Sequence, residues 1–339
     1  LVGLDYYNNY NDFDRVTVNN TPRVNFIRPV ATYRISRAYI DSASTSGTLR
    51  KETNGDDTYA AYASDVFNIT DRLTVMLSMR VDDYHSKGVY NITTGVTTGA
   101  FTQTTLSHKL GATYEVFADK LSVFANYMSG FFNKSGNAKD GSTFKPEQAN
   151  QLEFGVKADA FDRRLSGTIS YYNIQVKDVL RTDPDDPNYS VQDGTQISKG
   201  YEVDITANPF IGLNLVVGYA YNDSKYTRAN ASVDGLRPAL SGPDKMFNFW
   251  MSYRLAKGKW QGLGAGFGGN MGSSSFQTNT QTAKVIIPGY KLFDATVFYD
   301  QPKFRIGFKV DNITSEKAWS VRLTPQAPAR FIGSISLKF

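Results

Sequence analysis

The sequence lacks cysteine and any long run of apolar residues. Without cysteine, the chain has neither a disulfide framework nor a thiolate metal site. No segment approaches the roughly 18 consecutive apolar residues that a membrane-spanning helix requires, which excludes a helical membrane protein. A β-barrel membrane protein is compatible with this absence, because barrel strands alternate apolar with polar residues and average to a polar composition.

Charge of one sign and histidine are also scarce. The formal net charge is +5 over 339 residues, and lysine and arginine are scattered among aspartate and glutamate. This distribution argues against a nucleic-acid partner. The two histidines, His85 and His108, have no metal-ligand spacing. We therefore predict no metal site, no cofactor and no histidine-based catalytic relay.

Two motifs that suggest ligand binding are interpreted here as structural. Residues 264–269 read GAGFGG, which fits G-x-G-x-x-G, but the following NMGSSS does not predict the helix that would hold a pyrophosphate. We interpret this stretch as a glycine-rich strand. Residues 183–188 read DPDDPN and offer carboxylates for calcium, yet two prolines and the lack of an EF-hand pattern favour a solvated turn.

Aromatic residues in alternating segments are abundant. The chain contains 21 Tyr, 22 Phe and 28 Gly. Residues 330–339 read RFIGSISLKF, in which Phe331, Ile335 and Leu337 fall on one side. Residues 72–84 read RLTVMLSMRVDDY and alternate in the same way. This period of two predicts strands with one apolar and one polar face.

The polar face of these segments indicates the architecture. It carries charged residues along the whole chain, namely Arg80, Asp82, Glu153, Lys157, Asp159, Glu202, Asp204, Arg305 and Lys309. The inner faces of a soluble sandwich would be apolar, and no amphipathic helix of useful length is visible to cover the aromatic face. A closed sheet with lipid outside and water inside satisfies both faces. We therefore predict an all-β fold, an antiparallel transmembrane β-barrel.

Short and long connections alternate between the predicted strands. We predict fourteen strands, centred near residues 5, 62, 78, 111, 126, 154, 170, 202, 218, 249, 266, 295, 308 and 335. The short turns lie at residues 70–72, 118–120, 162–164, 209–212, 257–259 and 301–303. The long polar stretches lie at residues 12–57, 85–103, 132–145, 178–194, 226–243, 270–287 and 314–329. This asymmetry is typical of outer-membrane barrels, which have tight periplasmic turns and long extracellular loops.

Aromatic residues also cluster near the predicted strand ends. They are Tyr6, Tyr7, Phe131, Phe132, Tyr171, Tyr172, Trp250, Tyr253 and Tyr299. In a barrel, these side chains would form girdles at the two boundaries between lipid and water. Ordinary core packing is the alternative interpretation.

Several motifs occur in an order that resembles one family. Lys145-Pro146-Glu147 precedes EFGVK at residues 153–157, a strand at residues 172–179 follows, and GYE at residues 200–202 comes next. The remaining matches are LVGLDYY (1–7), RLTVMLSMRVDDY (72–84), PGYKLFDATVFYD (288–300) and KVDNITSEKAW (309–319). Over nearly its whole length, the chain resembles the second half of a TonB-dependent siderophore receptor.

This resemblance implies a plug domain followed by about 22 strands, of which this chain would supply the ninth to the last. We therefore expect residues 1–339 to form one incomplete domain, the C-terminal part of the barrel, with the plug absent. The resemblance also implies that Phe339 is the signal recognised by the barrel assembly machinery. If the last strand descends into the periplasm, the first one ascends, which places the connection within residues 12–57 outside the cell.

The family resemblance further implies energised uptake across the outer membrane of a Gram-negative bacterium. A ferric siderophore or similar chelate would settle on the extracellular loops, TonB would act through the plug, and outer-membrane lipid and lipopolysaccharide would surround the wall. Loop aromatics and cations suit iron chelates. The predicted substrate-binding residues are Tyr84, His85, Tyr90, Phe132, Arg181, Tyr189, Phe276 and Trp319. No residue is predicted to be catalytic.

Three alternatives stay open at this point. The receptor could take up another nutrient, such as cobalamin or an oligosaccharide. A complete fourteen-stranded barrel could act as a passive channel or lipid transporter, and its first strand would then pair directly with residues 330–339. An outer-membrane lipase or protease would need a Ser/His/Asp or acidic cluster, and neither histidine lies in such a setting.

Overall fold

The computed structural model describes residues 1–17, 38, 48–186 and 188–338, and its elements in those ranges are all β-strands. They are β1 (Val2–Thr17), β2 (Thr48–Asn68), β3 (Leu73–Asn91), β4 (Val96–Thr98), β5 (Phe101–Phe117), β6 (Leu121–Phe132), β7 (Glu147–Ala160), β8 (Leu165–Thr182), β9 (Ser190–Ala207), β10 (Leu213–Arg228), β11 (Lys245–Arg254), β12 (Leu263–Gly272), β13 (Ser275–Asn279), β14 (Lys284–Ile287), β15 (Tyr290–Asp300), β16 (Phe304–Asp311) and β17 (Arg330–Leu337). No helix in these ranges is long and apolar enough to cross a membrane.

Chain neighbours pair with one another in a single antiparallel meander. The main sheet of the described residues has 15 strands, in the order β1-β2-β3-β5-β6-β7-β8-β9-β10-β11-β12-β15-β16-β17, with the short β4 paired to β3 off this path. β13 and β14 form a separate hairpin. The fourteen strands of the path coincide with the fourteen predicted from alternation, so that prediction is confirmed.

Burial in this sheet is inverted with respect to a soluble protein. On β3, the Met79 side chain is 56% exposed, whereas Asp82 on the opposite face is only 6% exposed. Among the described residues, the buried apolar side chains are only Ala60, Phe144, Ile287 and Ala318. The buried polar ones are Asp82, Gln103, Thr105, Ser170, Ser224, Ser275, Asn279 and Asn312. No second layer covers the apolar face in this part of the chain, as a lipid-facing wall requires.

Charges on the polar face are paired across strands. The Arg80 guanidinium contacts Asp82 at 2.9 Å on its own strand and Asp5 of β1 at 2.6 Å. Cations of this face also lie over aromatic rings, as Lys157 does over Phe124 at 5.1 Å. Pairs of opposite charge and contacts of cations with aromatic rings offset the repulsion between like charges that crowd this face.

The short turns at one end of the sheet include residues in the left-handed backbone conformation. The connections 69–72, 118–120, 161–164, 208–212, 255–262 and 301–303 contain all six predicted turns. Gly212 has φ of 95°, and a Cβ there would lie 2.2 Å from the carbonyl oxygen of Arg254. Only glycine fits this position, because both the left-handed conformation and the close approach exclude a side chain.

The other end carries the long connections, which are shorter than the sequence indicates. β2 is 21 residues long, although about 9–11 residues suffice to cross the membrane. β3 continues to Asn91 and β5 begins at Phe101, so most of the predicted 85–103 loop is strand. Above the membrane both faces of a hairpin meet water, so its strands lose the alternation that identifies them lower down. Most of the predicted 12–57 loop lies outside the described residues.

The sheet has two unpaired edges. Within the described ranges, β1 pairs with β2 alone and β17 with β16 alone, so β1 does not pair with residues 330–338. This topology argues against the complete fourteen-stranded channel, which needs that pairing. The predicted terminal strand is present as β17, and Phe339 lies outside the described residues.

Candidate functional site

The long connections are fastened to the ends of the strands by buried amides. The side chain of Gln103, near the start of β5, donates from Nε2 to the carbonyl oxygens of Lys134 at 2.8 Å and Phe144 at 2.7 Å. Its Oε1 accepts from the Lys134 amide at 3.1 Å. Gln103 thus holds both ends of the β6–β7 connection. Sequence analysis missed it, because one glutamine at a strand start gives no distinctive signal.

A polar cavity of about 430 Å³ opens beside this connection. We call it the asparagine cavity, and the residues that line it are Asn9, Asn11, Asn54, Gly55, Asp56, Tyr84, Ser86, Gly88, Val89, Thr98, Gly99, Phe101, Asn133 and Ser135. The Tyr84 and Phe101 rings pack at 5.6 Å between centroids. The Asn133 Oδ1 atom is buried and has no hydrogen-bond partner in the described part of the chain. Tyr84, a predicted site residue, therefore lies in a cavity that combines amides with aromatic rings.

Phe132 lies next to this cavity in the chain. Its ring is 67% exposed, and the Lys134 ammonium lies 4.7 Å from the ring centroid. The same ammonium is 2.9 Å from the Glu147 carboxylate. Asn133, between these two residues in the chain, lines the asparagine cavity, whereas Phe132 and Lys134 are not among its lining residues.

Tyr189 lies where two connections meet. Lys139 of the β6–β7 connection places its Nζ 2.9 Å from Asp186 Oδ2 and 5.4 Å from the Tyr189 ring centroid. The hydrogen bond from Lys139 lowers the pKa of Asp186, and further hydrogen bonds from Asn188 act in the same direction. An exposed aromatic ring is thereby held beside a cation, although a carboxylate already compensates that cation.

The Arg181 guanidinium is already paired with a carboxylate of this chain. It makes a bidentate pair with Asp193, at 2.5 Å and 2.9 Å, and Asp193 also pairs with Arg228. The Arg181 side chain is only 15% exposed. The geometry gives this arginine a role in joining β8 and β9 above the membrane, and its contact with a substrate stays a prediction.

A second cavity, of about 310 Å³, lies among the later connections. We call it the tryptophan cavity, and its lining is Pro243, Asn270, Ser273, Ser275, Ile287, Pro288, Tyr290, Leu292, Ala318, Trp319, Ser320, Val321 and Gln326. Buried Asn312 shapes the last connection, since its Nδ2 donates to the carbonyls of Glu316 and Ala327, each at 3.0 Å. Trp319, a predicted site residue, lines this cavity. Phe276 of β13 is half-buried beside it and is not among the lining residues.

His85 and Tyr90 lie apart from both cavities. His85 is on the opposite face of β3 from Tyr84, where its Nε2 is 2.6 Å from Asp83 Oδ2 and its ring meets Tyr59 edge-on at 5.8 Å. Tyr90 is exposed near the end of β3, opposite Thr53 and Thr97. Among the described residues, no group of three or more His, Cys, Asp or Glu side chains is arranged to hold a metal ion.

Comparison with known proteins gives one family. The family model described as "TonB dependent receptor-like, beta-barrel" matches residues 1–313. The ferrichrome outer membrane transporter/phage receptor of Escherichia coli K12 is 30% identical over 203 residues, which are 60% of this chain and 26% of that protein. The ferric-pyoverdine M114 receptor of Pseudomonas sp. M114 is 27% identical over 301 residues, which are 84% of this chain and 33% of that protein.

Solved structures show the same fold. The ferric-catecholate import receptor Fiu of E. coli K12, in its closed form, superposes with a TM-score of 0.75 at 19% identity, over 100% of this chain and 52% of that one. The siderophore receptor PiuA of Acinetobacter baumannii superposes with a TM-score of 0.72 at 17% identity, over 87% of this chain and 45% of that one. This chain spans less than half the length of the curated relatives it matches here, for example 26% of the ferrichrome transporter and 33% of the pyoverdine receptor.

Proposed function

We propose that this chain, which belongs to the TonB-dependent receptor β-barrel family, is part of an outer-membrane transporter for a ferric siderophore or a similar chelate. The observation that carries the proposal is the family match over residues 1–313. The inverted burial of the sheet agrees with it, because an exposed apolar face needs lipid and a paired, charged face needs water. The relatives named above are receptors and transporters, and the proposal assigns this chain no catalytic step.

In this proposal, the described residues supply the wall and the extracellular vestibule. Tyr84 and Trp319, which line the two cavities, and Phe132 and Tyr189, which are exposed near the loop end, would contact the chelate. Aromatic rings suit the flat ligand arms of iron chelates, and neighbouring amides satisfy their oxygens. Gln103 and Asn312 would keep the connections in place while the chelate binds and leaves.

The remaining parts of the machinery are proposed from the family. A plug and the strands that complete a barrel of about 22 would be supplied by residues outside this chain, and TonB would act through that plug. The barrel would lie in the outer membrane of a Gram-negative bacterium, in contact with lipid and lipopolysaccharide. Phe339 would be read by the barrel assembly machinery. Uptake of cobalamin or an oligosaccharide by the same route is the alternative to be tested.

A growth and uptake experiment tests this function. A strain lacking the complete gene is grown under iron limitation on a panel of single ferric chelates, cobalamin or oligosaccharides, and uptake of radioactive iron is measured in parallel. We expect the strain to lose growth on at least one ferric chelate. The complete gene should restore that growth, but it should not do so in a strain that also lacks TonB. Unchanged growth and uptake on every chelate would contradict the iron assignment.

A further inference from the structure

The described lining of the asparagine cavity carries a negative charge and no positive one, unlike a site that binds anions. Among the described residues that line it, the only carboxylate is Asp56, and no lysine, arginine or histidine is present. Four asparagine side chains supply most of the polar surface, and Tyr84 and Phe101 supply the rings. An anionic ligand would therefore meet a like charge without a cation to offset it.

Three described cations of β3 and of the β6–β7 connection are already paired with carboxylates. Lys134 is paired with Glu147 at 2.9 Å, and Arg80 is shared between Asp5 and Asp82. Lys87 is paired at 2.9 Å with Asp57. Asp57 adjoins Asp56 on β2, so their side chains point to opposite faces of the sheet. Each of these three cations is held beside a carboxylate, so none of them offers a free positive charge to an anion in the described part of the chain.

The amides provide what a neutral, oxygen-rich ligand needs. Asn133 lines the cavity, and its buried Oδ1 has no hydrogen-bond partner in the described structure. Asn9 donates only a long bond, of 3.3 Å, to Asp56. Amide groups can donate to the carbonyl oxygens of a ligand and accept from its N–H or O–H groups, while the ring pair offers an apolar platform.

We propose that the asparagine cavity selects an uncharged ferric chelate of the tris-hydroxamate type over the anionic tris-catecholate type. This inference rests on the proposed function, and it names the substrate class of the same vestibule. In a tris-hydroxamate, the three singly charged arms neutralise ferric iron, whereas catecholate arms carry twice that charge and leave the complex strongly negative. Asp56 is the residue that discriminates, because it repels the second class and leaves the first unaffected.

The test measures binding to the receptor produced from its complete gene and purified in detergent. Ferrioxamine E serves as the neutral tris-hydroxamate and ferric enterobactin as the anionic tris-catecholate, and both are titrated by fluorescence quenching and calorimetry. We expect Kd for ferrioxamine E to be lower by about tenfold or more. Asp56→Asn should reduce that ratio by about threefold, through tighter binding of the catecholate alone.

Two variants separate the cavity from general charge effects. Asp65→Asn makes the same change further along β2, on the outward face and away from the cavity, and should leave the ratio unchanged. Tyr84→Ala should weaken ferrioxamine E about fivefold, because it removes one ring of the aromatic pair. An equal response of the ratio to Asp56→Asn and Asp65→Asn would refute the role of the cavity.

The outcomes distinguish this inference from the function on which it rests. Tighter binding of ferric enterobactin would overturn the substrate class and leave siderophore transport intact. If the receptor binds neither probe but still supports growth on another ferric chelate, the substrate class is again wrong and siderophore transport stays intact. Binding of neither probe, together with no growth on any ferric chelate, would contradict the transport function and this inference with it.

Discussion

The two ends of the sheet are built by different means. At the turn end, the chain reverses through left-handed backbone conformations, as at Gly212 and at Asp119 with φ of 59°. At the loop end, Gln103 and Asn312 hold much longer connections through side-chain hydrogen bonds to backbone. The turn end tolerates little change in backbone conformation, whereas the loop end depends on the hydrogen bonds of single amide side chains. The turn end should therefore respond to added volume and the loop end to lost hydrogen bonds.

The largest effect is expected at Gly212. Gly212→Val would place a branched side chain at φ of 95° and against the Arg254 carbonyl, which we expect to cost about 3 kcal/mol or more of folding free energy. Receptor that reaches the outer membrane in folded form, scored by its mobility in unheated detergent gels, should fall sharply. Gly258→Val is the matched control, since φ there is 93° but no atom lies within 4 Å of the added Cβ. An equal loss in both variants would show that backbone strain alone decides the result.

Asn312 comes next, at the loop end. Its φ is 49°, which asparagine and aspartate tolerate better than alanine, and its side chain makes three hydrogen bonds to backbone. Asn312→Ala should cost about 3 kcal/mol locally, with faster hydrogen exchange confined to residues 312–329. Asn312→Asp keeps the acceptor for the Glu316 amide but turns a carboxylate oxygen toward the carbonyls of Glu316 and Ala327, so it should not restore slow exchange. Exchange in Asn312→Asp as slow as in the unchanged receptor would contradict a role for the donated bonds.

Gln103→Leu should release the β6–β7 connection with little effect on the wall. It removes three hydrogen bonds to Lys134 and Phe144, at a cost of about 2 kcal/mol. Limited proteolysis of the receptor in membranes should then cut within residues 133–146, while the mobility of the folded receptor stays unchanged. Gln148→Leu, at an exposed position of β7, is the control and should not be cut. Resistance of Gln103→Leu to protease would show that other contacts hold the connection.

The smallest effect is the pH dependence of the Lys139–Asp186 contact. The pKa of Asp186 is lowered in the folded protein, so the contact stabilises the loops above the ordinary pKa of aspartate. That stabilisation is lost as the pH falls through the lowered pKa. Hydrogen exchange in residues 183–189 should therefore rise in acid once the intrinsic pH dependence is subtracted. Asp186→Asn should abolish the change, and an unaltered acid response in that variant would assign it to another group.

The sequence predicts the wall well because alternation is imposed by two different solvents. Lipid and water act on every residue of a membrane-spanning strand, so Leu77, Met79 and Val81 mark one face unambiguously. Above the membrane that constraint disappears, which is why the predicted loops were too long around β3 and β5. The strand register also shifts between Asn54 and Asp56 and between Val176 and Val179. Each shift moves the following side chains to the other face of the sheet, and the alternation of the sequence does not reveal it there.

The candidate site could be predicted only in part. Aromatic character and position identified Tyr84 and Trp319, which line cavities. The same criteria also selected His85, which faces outward, and Arg181, which is occupied by Asp193. Sequence position does not reveal which face a side chain takes above the membrane or which cation already has a partner. The asparagines of the first cavity were missed because they come from distant segments and gain meaning only when assembled.

The unpaired edges of β1 and β17 have a practical consequence for any preparation of these residues alone. The outer edges of β1 and β17 carry rows of amide and carbonyl groups without strand partners in the described ranges, and such edges are templates for pairing with further copies. We expect such a preparation to associate side by side through these edges, with a particle size that grows with protein concentration.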